Sequence, residues 1–311
     1  MRISTSQIYG SGVLGIERNQ NELLKLQNQI SSGRRMLTPA DDPIAAAQAL
    51  TVTQSQKVAA QYAKNQGDAS DRLGLVDSQL SALTDVLQSV RERAVQAGNT
   101  VLADSDRQAI ASELEVRLEE MLGIANGRSA EGDYLFSGYQ GNTQPFVRSP
   151  AAPPGTSSVS YSGDDGERLL QVGASRQMAV NVTGSDLFTP STNKSVFQTM
   201  QDLIDLLHAP IGSPAARTAF SGQLAGHLTD LDQAMANVSR VQSSVGARMQ
   251  ELDALSSNTA AVDIQYQQML SELQDLDYVK AISDFTRQQV SLEAAQKSFV
   301  QISGLSLFNY I

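Results

Sequence analysis

Apolar residues near the start of the chain recur every seven positions, the spacing of a helix that buries one narrow stripe. These positions are Ile16, Leu23, Ile30 and Leu37. The residues between them are largely Asn and Gln, which are polar but uncharged. The pattern predicts an amphipathic first helix that ends at the prolines from position 39 onward. Asp42 and Pro43 then fit the N-cap and the first position of a second helix.

The end of the chain repeats this pattern. Helical periodicity returns after Pro214 and runs almost unbroken to Ile302. A continuous helix of about 85 residues would be roughly 130 Å long, more than one globule can enclose. Its last apolar stripe consists of Tyr278, Phe285, Leu292 and Phe299, with Ile302 beside it. Because both ends share this spacing and a near-neutral charge balance, we predict that the first and last helices pair as a long antiparallel, coiled-coil rod.

The middle of the chain contains two more heptad stripes, from Leu73 to Ala97 and from Leu224 to Leu252, which we interpret as ordinary core. Between them, residues 132–190 are enriched in proline and aromatic residues. Short strands are predicted at Ser157 to Tyr161 and at Leu169 to Val182, around a turn at 163–166. The predicted fold is therefore mainly α with a small β-rich inserted domain. We expect a terminal paired-helix domain (1–45 with 275–311), a helical rod (46–136 with 191–274) and a β-rich outer domain (137–190).

Composition excludes several classes of protein. The net charge of −10 disfavours a general nucleic-acid binder or a binder of anionic membranes, since both need clustered Lys and Arg. The chain has no Cys, so it forms no disulfide and has no thiolate metal site. No apolar run approaches the roughly 18 residues of a membrane-spanning helix. The first residues lack the apolar core of a cleaved signal peptide, so we expect any secretion to use another route.

Candidate chemistry is sparse. Residues 10–15 match the dinucleotide motif G-x-G-x-x-G, but the motif needs a preceding buried strand, and the first nine residues are too polar for one. We interpret these glycines as a flexible, broken start to the chain. His208 and His227 lie on different predicted helices, too few for a structural zinc site. We therefore expect no enzymatic activity, no cofactor and no metal.

Several segments resemble the flagellin family. They are Met1–Gln7, Gln29–Arg35 followed by Pro39–Ala46, and Tyr134–Tyr139. The ending, Gly304 to Ile311, is similar to the hook–filament junction members of that family rather than to the filament subunit, which typically ends with Arg. The resemblance is weakest over residues 140–190.

The resemblance implies a structural subunit of the bacterial flagellum, located outside the cell. Such a subunit would be exported by the flagellar type III apparatus and would assemble as a ring of about eleven copies, a closed repeat of one contact. It would join the first hook-associated protein to flagellin, and an export chaperone would cover its C-terminal helix beforehand. On this interpretation the following residues pack against partners or other copies: Ile16, Leu23, Ile30, Leu37, Tyr278, Phe285, Leu292, Phe299, Ile302, Leu305, Leu307 and Phe308.

Two other hypotheses remain open. One is a flagellin filament subunit, which differs in being able to form filaments. The other is a cytoplasmic coiled-coil regulatory protein, which would form stable dimers with ordered ends. The junction interpretation instead predicts a monomer whose ends are mobile.

Overall fold

The computed structural model describes residues 5–99, 102–149, 159–190 and 194–308, with side chains except those of residues 5, 6, 8 and 303–308. Its helices, in chain order, are α1 (Thr5–Ser32), α2 (Pro43–Ala97), α3 (Asp104–Ala125), α4 (Gly184–Phe188), α5 (Val196–His208), α6 (Pro214–Gln274) and α7 (Tyr278–Phe308). Four short strands are β1 (Phe146–Arg148), β2 (Val159–Tyr161), β3 (Leu169–Gln171) and β4 (Gln177–Ala179). The predicted mainly α fold, with long helices at both ends and a small β region in the middle, is confirmed.

The chain divides into two compact units. The terminal unit consists of residues 1–60 and 261–311, and the central unit of residues 61–260. The inserted segment 137–190 lies within the central unit. The finer division into three domains stays a prediction.

The first helix ends earlier than predicted. It stops at Ser32, and Gly33 follows with φ of +69°, the left-handed conformation that commonly closes a helix. The Gly33 amide donates to the Gln29 carbonyl at 2.9 Å. The prediction that prolines stop this helix was wrong, because the glycine ends it before Pro39 is reached. Leu37 therefore lies outside α1 and does not continue its stripe.

The C-terminal helix is also interrupted. We predicted an almost unbroken helix to Ile302, but α6 ends at Gln274 and α7 begins at Tyr278. Asp277 accounts for the restart, since its carboxylate accepts a hydrogen bond from the Lys280 amide at 3.1 Å, as an N-cap does. The predicted N-cap at Asp42 is confirmed by the same geometry, with the Ala45 amide 3.0 Å from its carboxylate.

Helices α1 and α7 pair in opposite directions within the terminal unit. The ring of Phe299 lies edge-on to Tyr9 at 5.8 Å, near the start of α1. Further along, the Gln288 amide donates to the Asn19 side chain at 3.2 Å. Beyond the end of α1, the Tyr278 hydroxyl lies beside Gly33. The order of these contacts makes the pair antiparallel.

The main hydrophobic core belongs to the central unit. The apolar residues that form the heptad stripe of α2, between Leu73 and Ala97, are all buried. Leu231, Val238 and Val245 of α6 are buried as well. They join α3 and α5 in one cluster. Burying one such side chain fully contributes roughly 1.5–3 kcal/mol, so this unit has its own source of stability.

The β region consists of short strands joined in pairs. Strand β1 pairs antiparallel with β2, and β3 pairs antiparallel with β4, giving two separate ribbons. The strands on either side of the turn at 163–166 do not pair with each other, because β2 pairs with β1 and β3 pairs with β4. Ser157 lies outside the described residues. Four buried phenylalanines then attach this region to the helices, with ring centroids 4.9–5.7 Å apart: Phe136, Phe146, Phe188 and Phe197.

Candidate assembly interface

The terminal unit exposes apolar surface and buries little of it. Among the described residues, most of the large apolar side chains that stay exposed lie in this unit. Among the described residues of the terminal unit, the buried apolar ones are Ala45, Ala49, Val52 and Ala281, three of them alanines. A concentration of exposed apolar side chains in one region of a monomer commonly marks a site of interaction. The terminal unit is therefore the part of the described chain with the strongest physical reason to associate.

The residues predicted to pack against partners fall into three groups. Six are half-buried on the facing sides of α1 and α7: Ile16, Leu23, Ile30, Phe285, Leu292 and Phe299. Three are exposed: Leu37, Tyr278 and Ile302. The side chains of the last three, Leu305, Leu307 and Phe308, lie outside the described residues. Part of the predicted stripe thus joins the two terminal helices to each other, and its role toward partners stays a prediction.

The connection between α1 and α2 is fastened to the break between α6 and α7. The Arg35 amide donates to the Gln274 carbonyl at 2.8 Å, and the Leu276 amide donates to the Gly33 carbonyl at 3.0 Å. The Arg35 guanidinium also donates to the Leu273 carbonyl at 2.9 Å. Backbone amides and carbonyls that have no partner within their own helices therefore hydrogen-bond to each other where the two helix ends meet. We call residues 33–42 together with 273–278 the joint.

Asp41 organises the loop of the joint. One carboxylate oxygen lies 2.9 Å from Lys25 Nζ, and the other accepts hydrogen bonds from the amides of Thr38 and Leu37 at 2.9 and 3.0 Å. The hydrogen bond from Lys25, followed by the backbone donors, holds the pKa of Asp41 well below its usual range. The structural role of Asp41 is therefore to hold the loop, whereas the neighbouring Asp42 caps α2.

An apolar groove of about 270 Å³ lies beside the joint. Its lining includes Leu37, Pro39, Ala49 and Leu50, with Arg34 at one side. Leu50 is 71% exposed, so the groove has an apolar wall that faces solvent. Leu37, which left the helix stripe, is thus part of a different apolar surface.

Helix α7 also has a second apolar stripe, which the sequence analysis missed. Val279, Ile282, Val290 and Val300 are all more than half exposed, with Val279 at 84%. At 100° per residue, Val279 lies about a third of a turn from Phe285 and so outside the contact with α1. The signal was present as valine and isoleucine at helical spacing, but the aromatic residues of the first stripe dominated the pattern.

Neither metal ligands nor membrane spans are found where the chain is described. No group of three or more His, Asp or Glu side chains is placed to hold a metal ion among those residues. None of the described helices is long and apolar enough to cross a membrane.

Known proteins that are similar to this chain identify its family. The bacterial flagellin N-terminal helical region matches residues 3–141, and the bacterial flagellin C-terminal helical region matches residues 228–311. Over 321 aligned residues, the chain is 31% identical to flagellar hook-associated protein 3 of Salmonella typhimurium, covering 99% of both chains. The chain belongs to the flagellar hook-associated protein 3 family. The resemblance to flagellins in the N-terminal and C-terminal segments is therefore confirmed.

Other similarities are more distant. The chain is 26% identical to a flagellin of Bacillus subtilis over 296 residues, covering 92% of this chain and 91% of that one. Its fold matches the crystal structure of hook-associated protein 3 from Legionella pneumophila with a TM-score of 0.66 at 20% identity, covering 72% of this chain and 98% of that one. These relatives are structural proteins of the flagellum. The joint and the paired terminal helices lie within the two matched flagellin regions.

Proposed function

We propose that this chain is the adaptor subunit at the junction between the flagellar hook and the filament. The observation that carries the proposal is the asymmetry between the two units. The central unit has a continuous core, whereas the terminal unit exposes long apolar side chains on α1, α2, α6 and α7. Membership in the hook-associated protein 3 family supplies the setting in which such a surface would be covered.

In this account the terminal unit makes the contacts of assembly. Helices α1 and α7 pair along their facing stripes, and their remaining apolar surfaces pack against other copies and against the neighbouring flagellar proteins. The residues predicted to take part are Ile16, Leu23, Ile30, Leu37, Tyr278, Phe285, Leu292, Phe299, Ile302, Leu305, Leu307 and Phe308. Burial of apolar surface is the main driving force for such association.

The partners follow from the position of the adaptor. The first hook-associated protein would lie on the hook side and flagellin on the filament side, with about eleven copies of this chain closing one ring. The subunit would reach this place through the flagellar type III apparatus, without a cleaved signal peptide. An export chaperone would cover the C-terminal helix, whose exposed valines would otherwise promote aggregation.

The test is a strain from which the gene has been deleted. We expect bare hooks by electron microscopy, and flagellin released into the medium as soluble monomer. The hook would be complete, but flagellin would have no adaptor on which to assemble. A plasmid copy of the gene should restore filaments. Normal filaments and motility in the deletion strain would contradict the proposal.

The similarity to Bacillus subtilis flagellin across most of both chains favours one second candidate, a filament subunit. The same strain separates the two functions. Loss of a filament subunit would leave no flagellin in the medium, whereas loss of the adaptor would release it.

A further inference from the structure

The glycines at positions 10–15 do not break the helix. Although the segment was expected to be a flexible start, α1 runs through Gly10, Gly12 and Gly15 without a positive φ. Glycine inside a helix is destabilising relative to alanine, so what surrounds each of these glycines is worth examining.

Of the three, only Gly12 has a close contact among the described residues. A Cβ at Gly12 would lie 2.7 Å from Cδ2 of Phe299, so a side chain at Gly12 would force the phenylalanine ring to shift. A Cβ at Gly15 would meet nothing within 4 Å. The space that Gly15 leaves open is therefore not used by the described part of this chain.

That space belongs to an apolar groove between α1 and α7. The groove has a volume of about 300 Å³, and its lining includes Gly12, Gly15, Ala295, Phe299 and Ile302. Small residues on both helices form it, so it can admit an aliphatic side chain that approaches from outside.

Two exposed apolar side chains project from other sides of the same helix. Around α1, Val13 points about 200° away from Gly15 and Leu14 about 100° away. Val13 is 44% exposed and Leu14 is 63% exposed. Groove and projection therefore lie at the same level of one helix, on different sides.

We propose that Val13 and Leu14 of one copy insert into the Gly15 groove of a second copy. A projection and a groove on different sides of one subunit give a head-to-tail contact, which closes into a ring when the rotation between copies allows it. This inference rests on the proposed function, since it specifies one contact between copies within the adaptor assembly. Gly15 is then a residue that keeps the groove open for the neighbouring copy.

The first test fills the groove with the chain's own side chain. The Gly15→Leu variant should fold as a monomer, because a side chain there meets nothing in the chain, yet it should fail to restore filaments to the deletion strain. The matched control is Gly226→Leu, at an exposed glycine of α6 that also has nothing within 4 Å of its Cβ. It should restore filaments fully. Filaments restored by Gly15→Leu to the wild-type level would overturn the proposal that a second copy inserts into this groove.

The second test does not depend on function. Since the chain contains no cysteine, a Val13→Cys/Gly15→Cys double variant introduces the only thiols. The two Cβ vectors point apart within one helix, so a disulfide can form only between copies. Oxidised flagella carrying this variant should give a ladder of dimers, trimers and higher multiples on a non-reducing gel, and each single variant should not. Monomer alone from flagella that contain the double variant would overturn the proposal.

The two proposals fail in different ways. A deletion strain that keeps its filaments would contradict the adaptor function itself. A deletion strain with bare hooks, together with full rescue by Gly15→Leu and no cross-linked ladder, would remove only the groove contact.

Discussion

Gly12 and Phe299 are in direct contact across the two terminal helices, near the start of α1 and toward the end of α7. A Cβ on Gly12 would come within 2.7 Å of the phenylalanine ring, closer than carbon atoms pack. We expect Gly12→Ala to lower the free energy of local opening of α1 by about 1–3 kcal/mol, the usual cost of overpacking. Hydrogen exchange of the α1 amides measures this change.

Two variants control that prediction. Gly10→Ala, where nothing lies within 4 Å, should stabilise α1 by about 0.5–1 kcal/mol because it removes only the glycine penalty. Gly12→Ala combined with Phe299→Leu should recover part of the lost protection. Equal effects of Gly10→Ala and Gly12→Ala would show that the contact with Phe299 does not determine the pairing.

The loop of the joint should stay folded to a lower pH than it would if Asp41 had the ordinary pKa of an aspartate. In the unfolded chain Asp41 titrates near the reference pKa of about 3.9, and in the folded chain its pKa is lowered by Lys25 and the backbone donors. Its contribution is thus fully present above pH 4 and is lost as pH falls through the lower folded value. Exchange protection of the Leu37 and Thr38 amides should persist at pH 4. It should be reduced at every pH in Asp41→Asn, and loss of protection in the wild type already at pH 4 would contradict the assignment.

Arg35 should hold the two halves of the joint together. Its guanidinium donates to the Leu273 carbonyl and lies 3.3 Å from Asp42, but the side chain is 46% exposed. We therefore expect Arg35→Ala to lower the local opening free energy by only about 0.5–1.5 kcal/mol. The exchange rate of the Leu276 amide, which donates to Gly33, reports it. Arg34→Ala is the control, since the Arg34–Asp275 bridge uses the backbone, and an equal effect of the two variants would argue against a side-chain role for Arg35.

The two units should respond differently to truncation of an aliphatic side chain. Leu231 is fully buried in the central core, so Leu231→Ala should lower the free energy of unfolding by about 2–5 kcal/mol. Val279 is 84% exposed, so Val279→Ala should change the free energy of unfolding by less than about 0.5 kcal/mol. Urea unfolding of the purified monomer measures both. A large loss in Val279→Ala would mean that this surface is already covered in the monomer.

Sequence reasoning succeeded where the signal was local and periodic. The α2 heptad, the N-cap at Asp42 and the pairing of the first and last helices all follow from spacing or from adjacent residues. It failed in part because local signals were missed, namely the helix-ending Gly33 and the N-cap at Asp277. It failed also where the cause lay far along the chain, since Gly12 is explained by Phe299 and the break before Tyr278 is bonded to Gly33 and Arg35. Strand β1, the partner of β2, was not predicted at all, because its three residues are too few to show a strand periodicity.

The central claim is that this protein lies where the hook meets the filament, and immunogold electron microscopy tests that claim most directly. Antibodies raised against the purified chain, applied to intact wild-type flagella, should label one narrow zone where the hook meets the filament. Cells of the deletion strain serve as the control for specificity. A single zone at that boundary is the result we predict; label along the whole filament, or only inside the cell, would contradict the adaptor function.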